Sequence, residues 1–358
     1  MAIPFFDGGA RKKRDQVVAI DLGGRTTKAV SLQRKDGKYI LNRFALLDAP
    51  IYEKSLSADM LTEHLKAVSL ALEAKGKLAA IALGVNDALM RHVEMPRMPV
   101  EDMRLVLKNN SRNYLQEDLA NYVFDCFIVP QRVLPGAGDQ GKSAGPNLKQ
   151  KVLVAGARKQ LVEDFLVAIK AAGMVPDHIV PGLVGPVNTF EAAMPEVFSR
   201  AVVALVDIGF KHSSIAIIAE GELVLSRVVG IGGDRFSAGL AESMGISYAE
   251  AEGIKQGMAG EVQPALESLL MPLGRELRAS IDFFEHQQDR PVTQVYVSGG
   301  SAKSEVVLQS LRNQLMVECK TWTPTSFLEM ALPPNQAAEI DQVAPQLTTV
   351  LGAALSAL

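Results

Sequence analysis

Two short stretches of the chain repeat one arrangement of residues able to hold a phosphate chain. AIDLGGRTTKAV at residues 19–30 and LVDIGFKHSSIA at residues 205–216 each place an apolar run, an Asp, an aliphatic residue, a Gly and then a hydroxyl six positions beyond the Asp. Asp21 thereby corresponds to Asp207, Gly23 to Gly209 and Thr27 to Ser213. A glycine lets a hairpin bring backbone N–H groups against phosphate oxygens, hydroxyls add donors, and a carboxylate at a strand end holds magnesium directly or through water. Lys28 supplies a point charge for outer phosphates. One such stretch would be an ordinary β-turn, which uses the same residue types. Two in register point to related halves facing a shared ligand.

Two further glycine pairs have a double meaning. Gly230-Ile231-Gly232-Gly233-Asp234 and Val297-Ser298-Gly299-Gly300-Ser301-Ala302 each leave a strand and enter a helix. Bare backbone there either admits a flat base or a phosphate to helix N-terminal amides, or simply turns the chain. Glu252 and Lys255 lie three apart on one helical face. They reach a ribose together or form a surface ion pair.

The elements that position these residues alternate between strand-like and helix-like periods, which predicts an α/β architecture. With 358 residues, 48% of them hydrophobic, the chain has material for a large core and two or more units. Val17–Ile20, Thr27–Leu32 and Tyr39–Leu47 read as a strand meander. Leu61, Leu65, Val68 and Leu72 share a helix face, with Gly76 as its left-handed stop. Residues 78–85 read as a central strand. Pro99 suits a first helical position ahead of the Met103, Val106, Leu107 and Tyr114 stripe, and 135–150 has loop composition. KVLVAGA reads as a strand, and Leu161, Val162, Phe165, Leu166 and Ile169 mark the helix after it, closed by Gly173. Residues 86–172 are thus expected to form one helix-strand-strand-helix unit. In the second half, AVVALV repeats the buried strand, Ser247 and Glu250 fit a capping box, and a long helix runs from Leu266 to Phe284.

Several functions have no support. A net charge of −3 offers nothing to nucleic acid. Cys126 and Cys319 stand far apart with no CxxC, which argues for buried thiols and against a zinc site or disulfide framework. No run reaches the length of a membrane span, and the leader MAIPFFDGGARKKRDQ is too short in its apolar part for a signal peptide, so a cytoplasmic location is expected. That leader joins Phe5 and Phe6 to Arg11, Lys12, Lys13 and Arg14. The combination suits contact with an anionic membrane or a partner, or a frayed tail.

The order DLGxxxxK, DIGxxxSS, GGDRFS, AExxKxG and VSGGSA resembles the actin, Hsp70 and sugar kinase superfamily. Within it, MRHVEMPRMPVEDM, LVAGARKQLVEDFLVAIKAAGMVPDHIV and RELRASIDFF are similar to the PilM family of type IV pilus assembly proteins, with FtsA the next relative. The resemblance runs from about residue 17 onward. It implies an α/β, actin-like ATPase fold of two ribonuclease H-like halves. Residues 1–16 would be a basic tail, 17–85 with 173–200 subdomain 1A, 86–172 an inserted subdomain 1C, and 201–358 the second half. Subdomain 2B would cover about 236–290, and the final helix would return toward 1A.

The same resemblance implies ATP or ADP with magnesium. The first phosphate loop would be Asp21, Gly23, Gly24, Arg25, Thr26, Thr27 and Lys28, and the second Asp207, Gly209, Ser213 and Ser214. Gly232, Gly233, Glu252, Lys255, Gly299, Gly300 and Ser301 would line the nucleoside end, and Asp21 and Asp207 would hold the metal. It further implies an adaptor at the inner membrane. Its partner would be the N-terminal cytoplasmic peptide of a PilN-like single-pass protein, beside other pilus platform proteins. That peptide would lie between 1A and 1C, with Arg91, Val93, Met95, Met98 and Met103 either lining the groove or filling the core of 1C.

Relatives carry an acidic or amide residue in the segment joining the halves, where this chain has Pro181, Gly182 and Leu183, with Asn188 further on. The expectation is therefore slow or absent hydrolysis, at most a weak ATPase. Two other functions share the fold. A small-molecule kinase needs a catalytic Asp in a setting that no residue outside the two hairpins offers. An FtsA-like filament protein is expected to end in an amphipathic membrane helix, whereas this sequence ends in TTVLGAALSAL.

Overall fold

The computed structural model describes residues 14–50, 57–129 and 149–358. Strands β1 (Gln16–Leu22), β2 (Thr26–Lys35) and β3 (Lys38–Asp48) form an antiparallel meander, with Asp21 directly opposite Lys28. Helix α1 (Ala58–Ala71) follows, capped by the Ser57 hydroxyl accepting from the Met60 N–H. It buries Leu61, Leu65 and Val68, each contributing about 1.5–3 kcal/mol of burial. The left-handed residue just past α1 is Glu73, and Gly76 adopts positive φ three residues later, in the turn before the next strand. That strand, β4 (Leu78–Leu83), runs parallel to β1.

The chain then leaves the first sheet. Strand β5 (Ala88–Pro96), helices α2 (Val100–Asn110) and α3 (Arg112–Leu115), and strands β6 (Tyr122–Ile128) and β7 (Lys149–Arg158) form a separate three-stranded sheet in the order β5-β7-β6. Strand β5 has no counterpart among the expected elements, because its pattern of burial alternates only weakly. Pro99 is the residue before α2 and not its first helical position. Of the expected 135–150 loop, Lys149 and Gln150 belong to β7 and the rest lies outside the described residues. Helix α4 (Lys159–Ala171) differs from expectation more usefully. Phe165, Ala168 and Ile169 pack with Leu61, Leu65 and Val68 in the core of the first sheet, so α4 is not part of the inserted unit's own core. Strand β8 (Val175–Pro181) pairs with β4 and ends the sheet.

Helices α5 (Gly185–Ala193) and α6 (Pro195–Arg200) lead into the second half, where the plan repeats. Strands β9 (Val202–Ile208), β10 (Ser213–Ala219) and β11 (Glu222–Val229) form a second meander. Helices α7 (Gly233–Met244), α8 (Tyr248–Gly257) and α9 (Gln263–Gln288) cover one face of it. Both bonds of the Ser247/Glu250 capping box start α8, as its sequence predicts. Strand β12 (Gln294–Gly299) joins parallel to β9, followed by α10 (Glu305–Leu315) and β13 (Cys319–Thr321). The chain then crosses back. Strand β14 (Leu328–Met330) adds to β3, helix α11 (Pro334–Val343) follows, and α12 (Thr348–Ala357) lays Val350, Leu351 and Ala354 on Val17, Ala19 and Val30. Both β-hairpins therefore stand at the carboxyl ends of parallel strands, where α/β folds place ligands.

Candidate functional site

The two meanders give the hairpins matching geometry. Directly opposed residues of a strand pair share a face, so Asp21 and Lys28 point the same way, and so do Asp207, Ser214 and Ser298. Lys28 Nζ donates to Asp21 Oδ2 at 3.1 Å. Gly23 turns the first hairpin, and a Cβ there would lie 2.5 Å from the Thr26 carbonyl oxygen and 2.6 Å from Lys28 Nζ, so only glycine keeps this cradle open. Asp207 accepts from Ser298 Oγ at 2.8 Å and from Thr348 Oγ1 at 3.3 Å. Burial raises its carboxyl pKa, Ser298 and the charge of Lys28 pull it back, and the charge of Asp21 adds to the rise. The charges of the first hairpin thus reach Asp207 across the gap between the halves.

Two predicted ligands turn out to face elsewhere. Thr27 stands opposite Leu22, on the α1 side of the sheet, fully buried, with its Oγ1 2.7 Å from His64 Nε2. Ser213 stands opposite Ile208 and donates to the Ile231 carbonyl at 2.7 Å. The echo pairs these residues correctly, yet the period of two in a strand turns both away from the carboxylates. The cleft-facing equivalents are one residue later, Lys28 and Ser214.

The hairpin tips approach one another. A Cβ on Gly24 would lie 3.4 Å from Phe210 Cδ1, and the Arg25 guanidinium sits 5.8 Å from the Phe210 ring centre. Arg25 also reaches Glu252 on α8 at 3.0 Å. Glu252 further accepts from Lys255 at 2.7 Å, from Gln256 at 2.6 Å and from Ser237. Burial opposes its charge, but the bonds from Lys255 and Ser237 and the charge of Lys255 together hold its pKa below the usual carboxylate range. Lys255 also donates to the Gly233 carbonyl at 3.0 Å. The Glu252 and Lys255 pair is therefore a largely buried network and not the exposed ion pair that spacing alone allows.

The remaining glycines join the second hairpin. The Gly233 and Asp234 N–H groups donate to the Gly209 and Phe210 carbonyls, both at 2.9 Å, so these α7 donors are already used. Gly299 has φ +96°, and a Cβ there would strike the Ile208 backbone. Gly300 borders open space, and Ser301 Oγ would stand 3.5 Å from a Cβ on Gly233. Thr26 is half-buried at the start of β2.

Ser298 and Thr348 were not anticipated as site residues. Ser298 stands inside the VSGGSA glycine motif, but its role depends on the register of β12 with β9, and Thr348 arrives from 141 positions away and left no local sign. Asp87 lies just past β4. Burial raises its pKa, while the charges of His212 and Arg158 lower it. In the connecting segment, Pro181, Gly182 and Leu183 are buried. Asn188 donates to Ser356 Oγ at 2.9 Å and to the Gly352 carbonyl at 3.3 Å, so its amide is committed to α12.

The expected groove residues separate. Met95 and Met103 are fully buried in the inserted unit with Leu107, Cys126 and Val152, so they are core and not lining. Arg91 is exposed, and Val93 and Met98 are half-buried. An apolar cavity of about 170 Å³ does lie between the inserted unit and the first sheet, along the edge strand β8. Its walls are Val123, Ala155 and Ala157 of the inserted sheet, Val162, Leu166 and Ile169 of α4, and Pro176, Ile179 and Pro181 of β8. None of the five predicted residues lines it. Arg14 is not part of a free tail, since it bonds Asp177 of β8 at 2.8 Å.

Among the described residues no group of three or more His, Cys, Asp or Glu side chains could hold a metal, and no helix is long and apolar enough to cross a membrane. An ion such as magnesium would have the oxygens of Asp21 and Asp207, a donor set of the right hardness.

Comparison with known proteins gives this geometry a context. Ethanolamine utilization protein EutJ of Escherichia coli (strain K12) is 27% identical over 146 residues, which is 41% of this chain and 48% of that protein. The chain thus spans about half the length of that curated relative. Among solved structures, a PilM-PilN type IV pilus biogenesis complex matches with a TM-score of 0.81 at 22% identity, covering 96% of this chain and 99% of the other. EutJ from Carboxydothermus hydrogenoformans matches with a TM-score of 0.53 at 18% identity, covering 96% and 90%. The fold is that of the actin-like ATPases. The family model described as Type IV pilus assembly protein PilM matches residues 19–358. The chain belongs to the PilM family of type IV pilus assembly proteins.

Proposed function

We propose that this protein is a nucleotide-binding adaptor of the type IV pilus assembly platform, cytoplasmic and held at the inner membrane through a partner. The observation that carries the nucleotide part is the pair of facing hairpins. Lys28 and the Gly23 cradle stand on one side, Asp207 and Ser214 on the other, and the opposed pair Asp21 and Lys28 matches the opposed pair Asp207 and Ser214. A nucleoside di- or triphosphate would lay its phosphates between the tips, with Lys28 offsetting their charge. Magnesium would neutralise phosphate charge from the Asp21 and Asp207 side. Glu252 and Lys255 would meet the ribose, in competition with Arg25, which already occupies Glu252.

Hydrolysis is expected to be slow or absent. The connecting segment supplies no free acid or amide, because Asn188 is tied to Gly352 and Ser356. Rapid phosphate release under steady-state conditions would refute this.

The solved relative in complex with PilN supports a matching partner here, the short cytoplasmic tail of a single-pass inner-membrane protein. The apolar cavity along β8 is the surface that suits it, since an edge strand beside apolar walls accepts an extended peptide. A pull-down from detergent-solubilised membranes, with and without magnesium ATP, tests the reading. Recovery of a small single-pass protein supports it, and recovery of nothing membrane-bound overturns it.

A further inference from the structure

The β8 groove has a second candidate occupant within the same chain. Strand β8 closes one end of the six-stranded sheet, and a register shift where it pairs with β4 falls at Asp177, between Pro176 and His178. Asp177 binds Arg14 Nη2 through Oδ1 at 2.8 Å, and its Oδ2 lies 2.8 Å from His178 Nδ1. Arg14 Nη1 also stands 3.4 Å from His178 Nε2. Asp177 and His178 both border the apolar cavity. The chain is therefore tethered at the lip of the groove by the first residue of the described region, and residues 1–13 begin there.

The composition of those residues fits the space. Ile3, Pro4, Phe5 and Phe6 form the apolar run of the segment, and Lys12 and Lys13 adjoin the tether. Phe6 is eight steps from Arg14 (14 − 6 = 8), a reach of roughly 26 Å when extended. Strand β8 has 7 residues, roughly 23 Å at strand spacing. The connecting residues can thus bring Ile3–Phe6 to any part of the groove, where Leu166 and Ile169 offer apolar walls.

We infer that Ile3–Phe6 docks in the β8 groove of its own chain and competes there with the tail of the membrane partner. This rests on the proposal that the groove takes that tail. A short tether holds its end at an effective concentration on the order of 1 mM. A segment whose free peptide binds with a dissociation constant of about 0.1 mM would then weaken any competitor roughly tenfold.

The test uses the whole 358-residue chain and a fluorescent peptide of residues 1–9 as probe. The F5S/F6S variant, with its groove vacated, is expected to bind the probe saturably, the parent chain roughly tenfold more weakly, and F5S/F6S carrying Leu166→Glu not at all. Equal binding to parent and F5S/F6S, or binding to neither, would overturn the inference. A parent dimer in sedimentation that F5S/F6S lacks would also overturn it, since the tail would then occupy a second copy. Membrane pull-down with F5S/F6S separates this result from the partner reading. Probe binding without recovery of a single-pass protein sinks only the partner, and recovery without probe binding sinks only the self-docking.

Discussion

The two hairpins share a strand plan but differ in how they treat their carboxylates. In the first, the residue opposite Asp21 is Lys28, and the two form a 3.1 Å ion pair. In the second, the residue opposite Asp207 is Ser214, and Asp207 depends on the neutral hydroxyls of Ser298 and Thr348. Burial consequently raises the pKa of Asp207. A repeated backbone thus carries an unequal distribution of charge. In the first half the cation that would meet a phosphate chain stands directly opposite the carboxylate, whereas in the second that strand position holds a neutral hydroxyl.

The largest effect is expected at Gly299, which lets β12 end against Ile208 at φ +96°. Gly299→Val places a β-branched side chain in that conformation against backbone, and a loss of about 3 kcal/mol or more is expected in denaturant unfolding. A near-parental midpoint would mean that the second hairpin is not braced by β12. Next come the hydroxyls that face away from the cleft. Thr27→Val leaves His64 without its partner and Ser213→Ala leaves the Ile231 carbonyl without its donor, so each is expected to cost roughly 1–3 kcal/mol. Thermal melting checks both, and the two costs should be similar if the halves are equivalent on this face.

The asymmetry in charge predicts a pH signature. A carboxyl whose folded pKa lies above its unfolded value favours the folded state most at low pH, and that contribution is lost as pH rises through the two values. Asp207→Asn should therefore melt above the parent at pH 7.5, by on the order of a few degrees, and the advantage should shrink toward pH 4. An advantage that grows as pH falls would reverse the assignment. The smallest effect belongs to Arg25→Ala. Its side chain is 42% exposed, so losing the contact with Glu252 should change stability by less than about 1 kcal/mol.

Much of this was legible because it is local. The meanders, the α8 capping box and the apolar faces of α1 and α9 follow from spacing that physical chemistry reads directly. The paired hairpins also announced themselves through repetition. Which hydroxyl faced the cleft did not, because a one-residue step in a strand reverses the side chain, and only the register of Asp21 with Lys28 decides it. Met95 and Met103 misled for a related reason. Methionine suits both cores and peptide grooves, and the choice depended on β5, a strand whose alternation is weak. The location of the groove required α4 to pack on α1, a tertiary fact without a local signal.

Nucleotide binding is proposed for the cleft-facing members of the hairpins and not for their outward neighbours. Calorimetric titration of magnesium ATP into the parent, Lys28→Met and Thr27→Val tests it most directly. Saturable binding by the parent is expected, with a loss of at least about tenfold in affinity for Lys28→Met, in keeping with a charge-assisted bond of about 1.5–3 kcal/mol, and near-parental binding by folded Thr27→Val. Undiminished binding by Lys28→Met, or its loss only in Thr27→Val, would contradict it.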